Sequence, residues 1–528
     1  VNGAHALIET LVGSGVGVCF ANPGTSEMHF VAAVDDAPEF KVMLGLFEGV
    51  VTGAADGYAR MSGRPAATLL HLGPGMANGM ANLHNARRAR VPMVNIVGDH
   101  ATYHTQYDAP LNSDIETVAR TFSGWLERPT RPSELGDAAA AAVAAAMGPP
   151  PVLSTLVLPA DVSWGDGAAP GRPRPVGART RVSGDVIASV AKLLRSGEPC
   201  LLLVGGSAAR ADGLASASRV ASATSAGLLL ETSIGRLERA GGLPPAERLN
   251  YRAGRAVRQL AGVRHLILVD AKSPVAFFAY PGKKSDLVPE GCEVHVLSSA
   301  SDDSIEALAD LADRVAPGVR AATPAVSRPP RPTGPLTPAA AADAIAALLP
   351  DGAVVIDEGV TSGGYVQAAT ASGPRHDWLN VTGGAIGIGL PLAVGAAVAV
   401  PDRKIVGLQA DGSSMYTIQA LWTMARENLD IAIVVFSNRQ YSILRSELQR
   451  VGASGGPKAL DLLDLSRPDL DFVALAAGMG VAAERATTAE ELTLAFQRAL
   501  DGDGPRLVEA IMPDGHGAPG PGGRTASA

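Results

Sequence analysis

Short apolar runs alternate along this chain with longer stretches of helical period. In the first third, residues 16–20, 66–70, 93–97 and 151–158 are compact, mostly apolar runs. Runs of this length, bounded by Gly, Pro or charge, predict buried strands. Between them, residues 5–14, 47–60 and 75–88 predict helices. The alternation repeats with strands at 201–204, 227–230, 265–269 and 293–297, and again at 353–357, 404–409, 431–437 and 506–510. Strand–helix alternation predicts α/β units, each built on a parallel sheet. Two breaks divide the pattern. Residues 164–181 are rich in Gly, Pro and Arg without any period, and 316–338 hold seven prolines. Both read as linkers. The tail 515–528 is mostly Gly, Pro and Ala and is expected to be disordered. The predicted fold class is therefore α/β, with three doubly wound parallel-sheet domains at 1–163, 182–315 and 339–514. The first and third are similar in size and pattern and flank a different, Rossmann-like unit.

Composition narrows the function classes. The 528 residues are 47% hydrophobic and 18% charged, an ordinary globular mixture. Aromatics make up 4% against 60 glycines, which suits close helix–sheet packing. A net charge of −8 argues against a nucleic-acid partner. Cys19, Cys200 and Cys292 are scattered, so they form neither a disulfide framework nor a zinc knuckle. No secretory leader and no membrane span is legible, and a cytoplasmic location is expected.

The third unit carries the most informative chemistry. An apolar strand at 404–409 runs into Ala410-Asp411-Gly412-Ser413-Ser414, then a helical stretch through Glu427. A second strand ends in Ser437-Asn438-Arg439-Gln440-Tyr441. Asp411 and Asn438 are 27 positions apart, about one helix and one strand. That spacing sets both at the carboxyl ends of neighbouring parallel strands, the edge where open α/β sheets bind ligands. Mg²⁺ takes oxygen ligands, and Asp411, Asn438 and a backbone carbonyl near Gln440 offer three. Gly412 would let the backbone approach a diphosphate, whose charge suits a helix N-terminus. Alone, an Asp-Gly-Ser is usually just a turn.

This arrangement resembles the Gly-Asp-Gly…Asn motif of the thiamine diphosphate (ThDP) enzymes, the superfamily of benzoylformate decarboxylase and acetolactate synthase. Ala410 replaces the first Gly, a mild departure. Independent segments agree. Leu44 to Arg60 (LGLFEGVVTGAADGYAR) resembles the family segment whose glutamate contacts the cofactor's pyrimidine, and Glu48 falls at that position. Asn22-Pro23-Gly24-Thr25-Ser26-Glu27 resembles the family's first loop, and His71 to Asn78 its Gly-Pro-Gly loop. Thr382-Gly383-Gly384-Ala385-Ile386-Gly387 resembles the segment that holds the cofactor bent. The likeness runs from about Ala4 to Met512.

The resemblance implies a pyrimidine-binding first domain, a central Rossmann-like domain and a diphosphate-binding third domain. It implies ThDP held by Glu48, Gly383, Gly384, Ile386, Asp411, Gly412, Ser413, Asn438 and Tyr441, with Mg²⁺ on Asp411, Asn438 and Gln440. Ile386 would wedge between the cofactor rings. Glu48 would hydrogen-bond the pyrimidine and promote proton removal from the thiazolium. The site would lie between subunits of a homodimer or homotetramer. The expected reaction is non-oxidative decarboxylation of a 2-oxo acid through a ThDP-bound carbanion, with His71 as a further catalytic residue. Thr25, His71, Phe277 and Phe278 are the candidate substrate contacts. Two departures bear on this: a second family histidine, from the central domain, falls at Ala279, and the acetolactate synthase tryptophan falls near Glu447. The flavin-binding segments of acetolactate synthases leave at most a faint trace at 229–236, so FAD is not expected. An acetolactate synthase-like carboligase and a 2-hydroxyacyl thioester lyase are the alternatives, since only the pocket decides what captures the carbanion. A non-enzymatic α/β binding protein would not need Glu48. His29, His84, His100 and His104 read as solvent-facing or packing residues.

Overall fold

The computed structural model describes residues 1–513, so the tail expected to be disordered lies outside the described residues. Strands β1 (Val18–Asn22), β2 (Lys41–Leu44), β3 (Ala66–Leu70), β4 (Met93–Asp99), β5 (Trp125–Glu127) and β6 (Leu153–Pro159) form one parallel sheet. Its order is β2-β1-β3-β4-β6-β5. β4 and β6 are buried at every position. Helices Gly3–Gly13 and Pro132–Met147 pack on one face, and Glu48–Ser62 and Leu72–Ala89 on the other. Cover on both faces is why these strands read as apolar runs instead of alternating ones.

The central sheet holds β7 (Cys200–Val204), β8 (Gly227–Leu230), β10 (Glu247–Arg248), β11 (His265–Val269) and β12 (Glu293–Ser298) in the order β10-β8-β7-β11-β12. β9 (Leu237–Arg239) departs from it. It joins the third sheet antiparallel to β14 (His376–Asn380). Arg236 beside it ion-pairs Asp377 at 2.6 Å, and the Arg239 guanidinium lies 5.2 Å over the Trp378 ring. The run 229–236, weighed as a flavin trace, thus leads from β8 into a strap across to the third domain.

That third sheet also contains β13 (Ala353–Glu358), β15 (Ile405–Ala410), β16 (Ile431–Ser437), β17 (Ala482–Ala486) and β18 (Arg506–Ile511), ordered β17-β18-β16-β15-β13-β14-β9. The stretch expected as one helix after Asp411 is two, Asp411–Ser414 and Ala420–Arg426.

First and third domains meet along helices Glu48–Ser62 and Gly389–Ala399. A Cβ on Gly57 would come within 2.1 Å of the Leu392 carbonyl oxygen, and one on Gly395 within 1.8 Å of that of Ala54. Only glycine allows two helix backbones this close. Arg60 ties all three units together. Its guanidinium pairs with buried Asp56 and donates to the carbonyls of Asn380 at 2.6 Å and Gly235 at 3.2 Å.

Candidate active site

Asp411 and Asn438 are brought together as their spacing predicted. β15 and β16 are parallel neighbours, with Ala410 opposite Phe436. Asp411 follows β15 and starts the turn Asp411–Ser414, where its Oδ1 accepts from Gly412 N at 2.8 Å. Its Oδ2 accepts from Arg439 N at 2.6 Å, one residue past Asn438. The Asn438 Oδ1 accepts from Gln440 N at 3.1 Å. Burial pushes the Asp411 carboxyl above the usual carboxylate range, and the surrounding backbone amides oppose this. A cation on these oxygens would compensate that burial more fully than neutral amides do, and the donor set is the oxygen type that Mg²⁺ takes. A Cβ at Gly412 would fall 2.4 Å from the Tyr441 ring, so this backbone must stay bare. Ser413 is buried beside it.

The loop 382–389 lies at the same end of the third sheet. Gly384 and Gly387 take positive φ, and Ile386 is half-buried outside the hydrophobic core. Asn85 clamps the loop, accepting from Gly383 N at 3.0 Å and donating to the Ala385 carbonyl at 2.8 Å. His84 Nε2 lies 3.1 Å from the Gly383 carbonyl oxygen, so this histidine holds the loop and is not merely filling space. From below, the Glu358 carboxylate accepts from Gly387 N and Gly389 N, each at 2.7 Å. Burial pushes the Glu358 carboxyl up to about 7 in spite of those amides. Sequence reasoning passed over Glu358 because it ends an apolar strand with no recognisable spacing.

A stability prediction follows from Glu358. Between its ordinary value of 4.5 and about 7, the folded chain keeps a proton that the unfolded chain has lost. Stability therefore declines as pH rises through that window. Urea unfolding of cofactor-free protein should show this decline, and Glu358→Gln should flatten it. An unchanged slope in the variant would assign the proton elsewhere.

The first domain supplies the second half of the site. Glu48 opens helix Glu48–Ser62 and is 6% exposed. Its Oε2 accepts from Asn78 Nδ2 at 2.9 Å, and a Cβ at Gly75 would come within 3.0 Å of its Oε1. His71 stands at the N-terminal boundary of helix Leu72–Ala89, with Nδ1 at 2.9 Å from the Glu27 Oε2. Glu27 is fully buried, and burial raises its carboxyl above the ordinary range while His71 and the Gly24 amide oppose the rise. Gly24 leaves room for the imidazole, since a Cβ there would sit 2.2 Å from His71 Nδ1. Thr25 is exposed on the next residue. The loop sequence alone assigns Glu27 no role in the chemistry. In sequence, its spacing from Gly24 reads only as a helix cap, which it also provides.

The central-domain aromatics reach across to the third domain. Phe277 would lie 2.7 Å from a Cβ on Gly384, and it meets Phe278 edge-on with ring centroids 4.9 Å apart. Both rings are about half exposed. The Tyr280 hydroxyl donates to Glu447 Oε2 at 3.0 Å, and Glu447 also pairs with Arg450. The position near the acetolactate synthase tryptophan is thus a polar link between domains. Among the described residues, no helix is long and apolar enough to cross a membrane.

The chain is similar to known proteins over nearly its whole length. Residues 1–119 match the thiamine pyrophosphate enzyme N-terminal TPP binding domain, and 359–510 the C-terminal TPP binding domain. The chain is 58% identical to a Mycobacterium tuberculosis protein named as an acetolactate synthase large subunit, IlvX, over 97% of this chain and 99% of that protein. It is 31% identical to the benzoylformate decarboxylase of Pseudomonas aeruginosa, over 96% of this chain and 97% of that enzyme. The solved structure of the ThDP-dependent 4-hydroxybenzoylformate decarboxylase of Rhodococcus jostii RHA1 matches with a TM-score of 0.85 at 26% identity, covering 97% of this chain and 99% of that one. With both cofactor-binding domains matched and the likeness running nearly end to end, the chain belongs to the thiamine diphosphate-dependent enzyme family that includes acetolactate synthases and benzoylformate decarboxylases.

Proposed function

We propose that this enzyme decarboxylates a 2-oxo acid without oxidation, using ThDP and Mg²⁺, and that His71 is its proton donor. The observation that carries the reading is the His71–Glu27 pair. Glu27 is buried and engages Nδ1, which fixes the ring and leaves Nε2 available to a substrate. An imidazole oriented by a carboxylate is suited to giving a proton to a developing carbanion. A pocket that included Thr25 and the Phe277–Phe278 pair would present one hydroxyl and an apolar wall, which favours aryl or branched substrates. The P. aeruginosa and R. jostii relatives, both named as decarboxylases of arylglyoxylates, support the same class.

ThDP, when bound, supplies the electron sink that decarboxylation requires. The protein's own groups do the rest. Asp411, Asn438 and the Gln440 carbonyl would hold Mg²⁺ and the diphosphate. Gly412 and Ser413 would admit the phosphates beside Tyr441, and the loop Gly383 to Ile386 would lie against the cofactor. Asn78 keeps the Glu48 carboxyl in place. Glu48 and Asp411 make these hydrogen bonds within their own domains, while Asn85 and His84 tie the loop at Gly383 to the first domain. Completion of the site by a second copy in a homodimer or homotetramer, and a cytoplasmic location, belong to the same proposal.

Carboligation is the second reading, favoured by the name of the M. tuberculosis relative. One experiment separates the two. CO₂ release and products are measured for a panel of aromatic and branched 2-oxo acids with ThDP and Mg²⁺, with and without an aldehyde acceptor. Aldehyde and CO₂ in equal amounts support decarboxylation. Hydroxyketone or acetohydroxy acid as the main product supports carboligation. No CO₂ from any substrate, with ThDP bound, overturns both. In the first case, His71→Ala should lower kcat by about 10²–10⁴-fold with little change in ThDP affinity.

A further inference from the structure

His265 and His295 take no part in the site above, yet they form the tightest cluster of ligating side chains in the central domain. His265 opens β11, and register pairs it with Glu293 on β12. His295 follows two residues later and therefore shares the Glu293 face. The result is close convergence. His265 Nδ1 is 3.1 Å from His295 Nε2, and the Glu293 Oε2 is 3.9 Å from the first and 3.8 Å from the second. A point equidistant from the three atoms lies about 2.1 Å from each, which is the length of zinc–nitrogen and zinc–oxygen bonds.

A second observation bears on the ring itself. His265 is nearly buried, and its other nitrogen, Nε2, lies 2.8 Å from the Glu198 Oε2. That carboxylate draws the ring proton to Nε2 and leaves the Nδ1 lone pair facing the cluster. Metal-bound imidazoles are commonly oriented and made more basic in this way. A hydrogen bond between the two rings would account for their 3.1 Å separation. It would not account for Glu293 standing nearly equally close to both.

We propose that His265, His295 and Glu293 bind a divalent zinc-class ion, oriented by Glu198, with a fourth position open to solvent. Two imidazoles and one carboxylate suit Zn²⁺ rather than Mg²⁺. β12 is the edge strand of the central sheet. The ion would staple it to β11, since the ligands come from both strands.

The test uses the full-length enzyme without a polyhistidine tag, stripped of metal and resupplied with ThDP and Mg²⁺. Zn²⁺ is then titrated by calorimetry, and Co²⁺ is added separately to read the visible bands of a low-coordinate site. The expected result is one Zn²⁺ per chain. His295→Ala should weaken it by about 100-fold and abolish the Co²⁺ bands, and Glu198→Ala should weaken it about 10–100-fold. Glu293→Gln, at a mostly exposed position, serves if the histidine variant misfolds. Absence of Zn²⁺ binding, or equal affinity in the parent and all three variants, overturns the proposal.

Discussion

Glu48→Gln is expected to lower turnover by about 10²–10⁴-fold, the range that a positioned acid–base group supplies, while leaving ThDP binding nearly intact. The reason lies in how the two Glu48 oxygens are used. Oε2 is committed to Asn78 Nδ2, and Oε1 faces the bare backbone at Gly75. Glutamine keeps the shape, and its carbonyl can still accept from Asn78. It then presents an amide that can neither give up nor take a proton usefully. The diphosphate anchors belong to the third domain and are untouched, so affinity should persist. Turnover and calorimetric ThDP affinity, measured on the same preparation, check this. Turnover within a few-fold of the parent would remove Glu48 from the proton path.

Asp411→Asn should fail in the opposite way. Loss of the carboxylate charge from a buried oxygen cluster should weaken Mg²⁺-dependent ThDP retention by about 10²–10³-fold, the cost of removing one partner of a desolvated charge pair. The fold should survive. Asparagine can still accept from one backbone amide, and burial already opposes the Asp411 charge in the absence of a cation. ThDP binding followed across a Mg²⁺ titration reads the effect directly. Saturating Mg²⁺ and ThDP should restore part of the activity of Asp411→Asn and none of that of Glu48→Gln. Parent-like Mg²⁺ dependence in Asp411→Asn would mean that the cation sits elsewhere.

Legibility followed burial. β3, β11 and β16 occupy the residues their apolar runs predicted, because strands covered on both faces leave a dense signature. β14 left none. Its sequence, His376-Asp377-Trp378-Leu379-Asn380, is largely polar, yet all five residues are buried. Polar groups there find partners distant in sequence or in a neighbouring turn: Arg236 and Arg403 for Asp377, the Pro374 carbonyl for His376 Nδ1, Ile234 for Asn380. Pattern reading cannot see such partners. The same holds at the site. Asp411 and Asn438 were legible because one helix and one strand separate them. Glu27 and Glu358 were not, since their partners His71 and Gly387–Gly389 lie 44 and about 30 positions away with no repeating spacing.

By itself the sequence determined the α/β class, the parallel sheets and the residues at the strand ends, because those depend on local periodicity and short spacings, and its motifs carried the resemblance to the cofactor family. Tertiary structure alone decided that β9 crosses into the third sheet, that Arg60 joins three domains, and that His71 is held by a buried carboxylate. Those contacts are made where distant segments exclude water together. Their stabilisation comes from pairing polar groups in that shared interior, and no local stretch of chain records it.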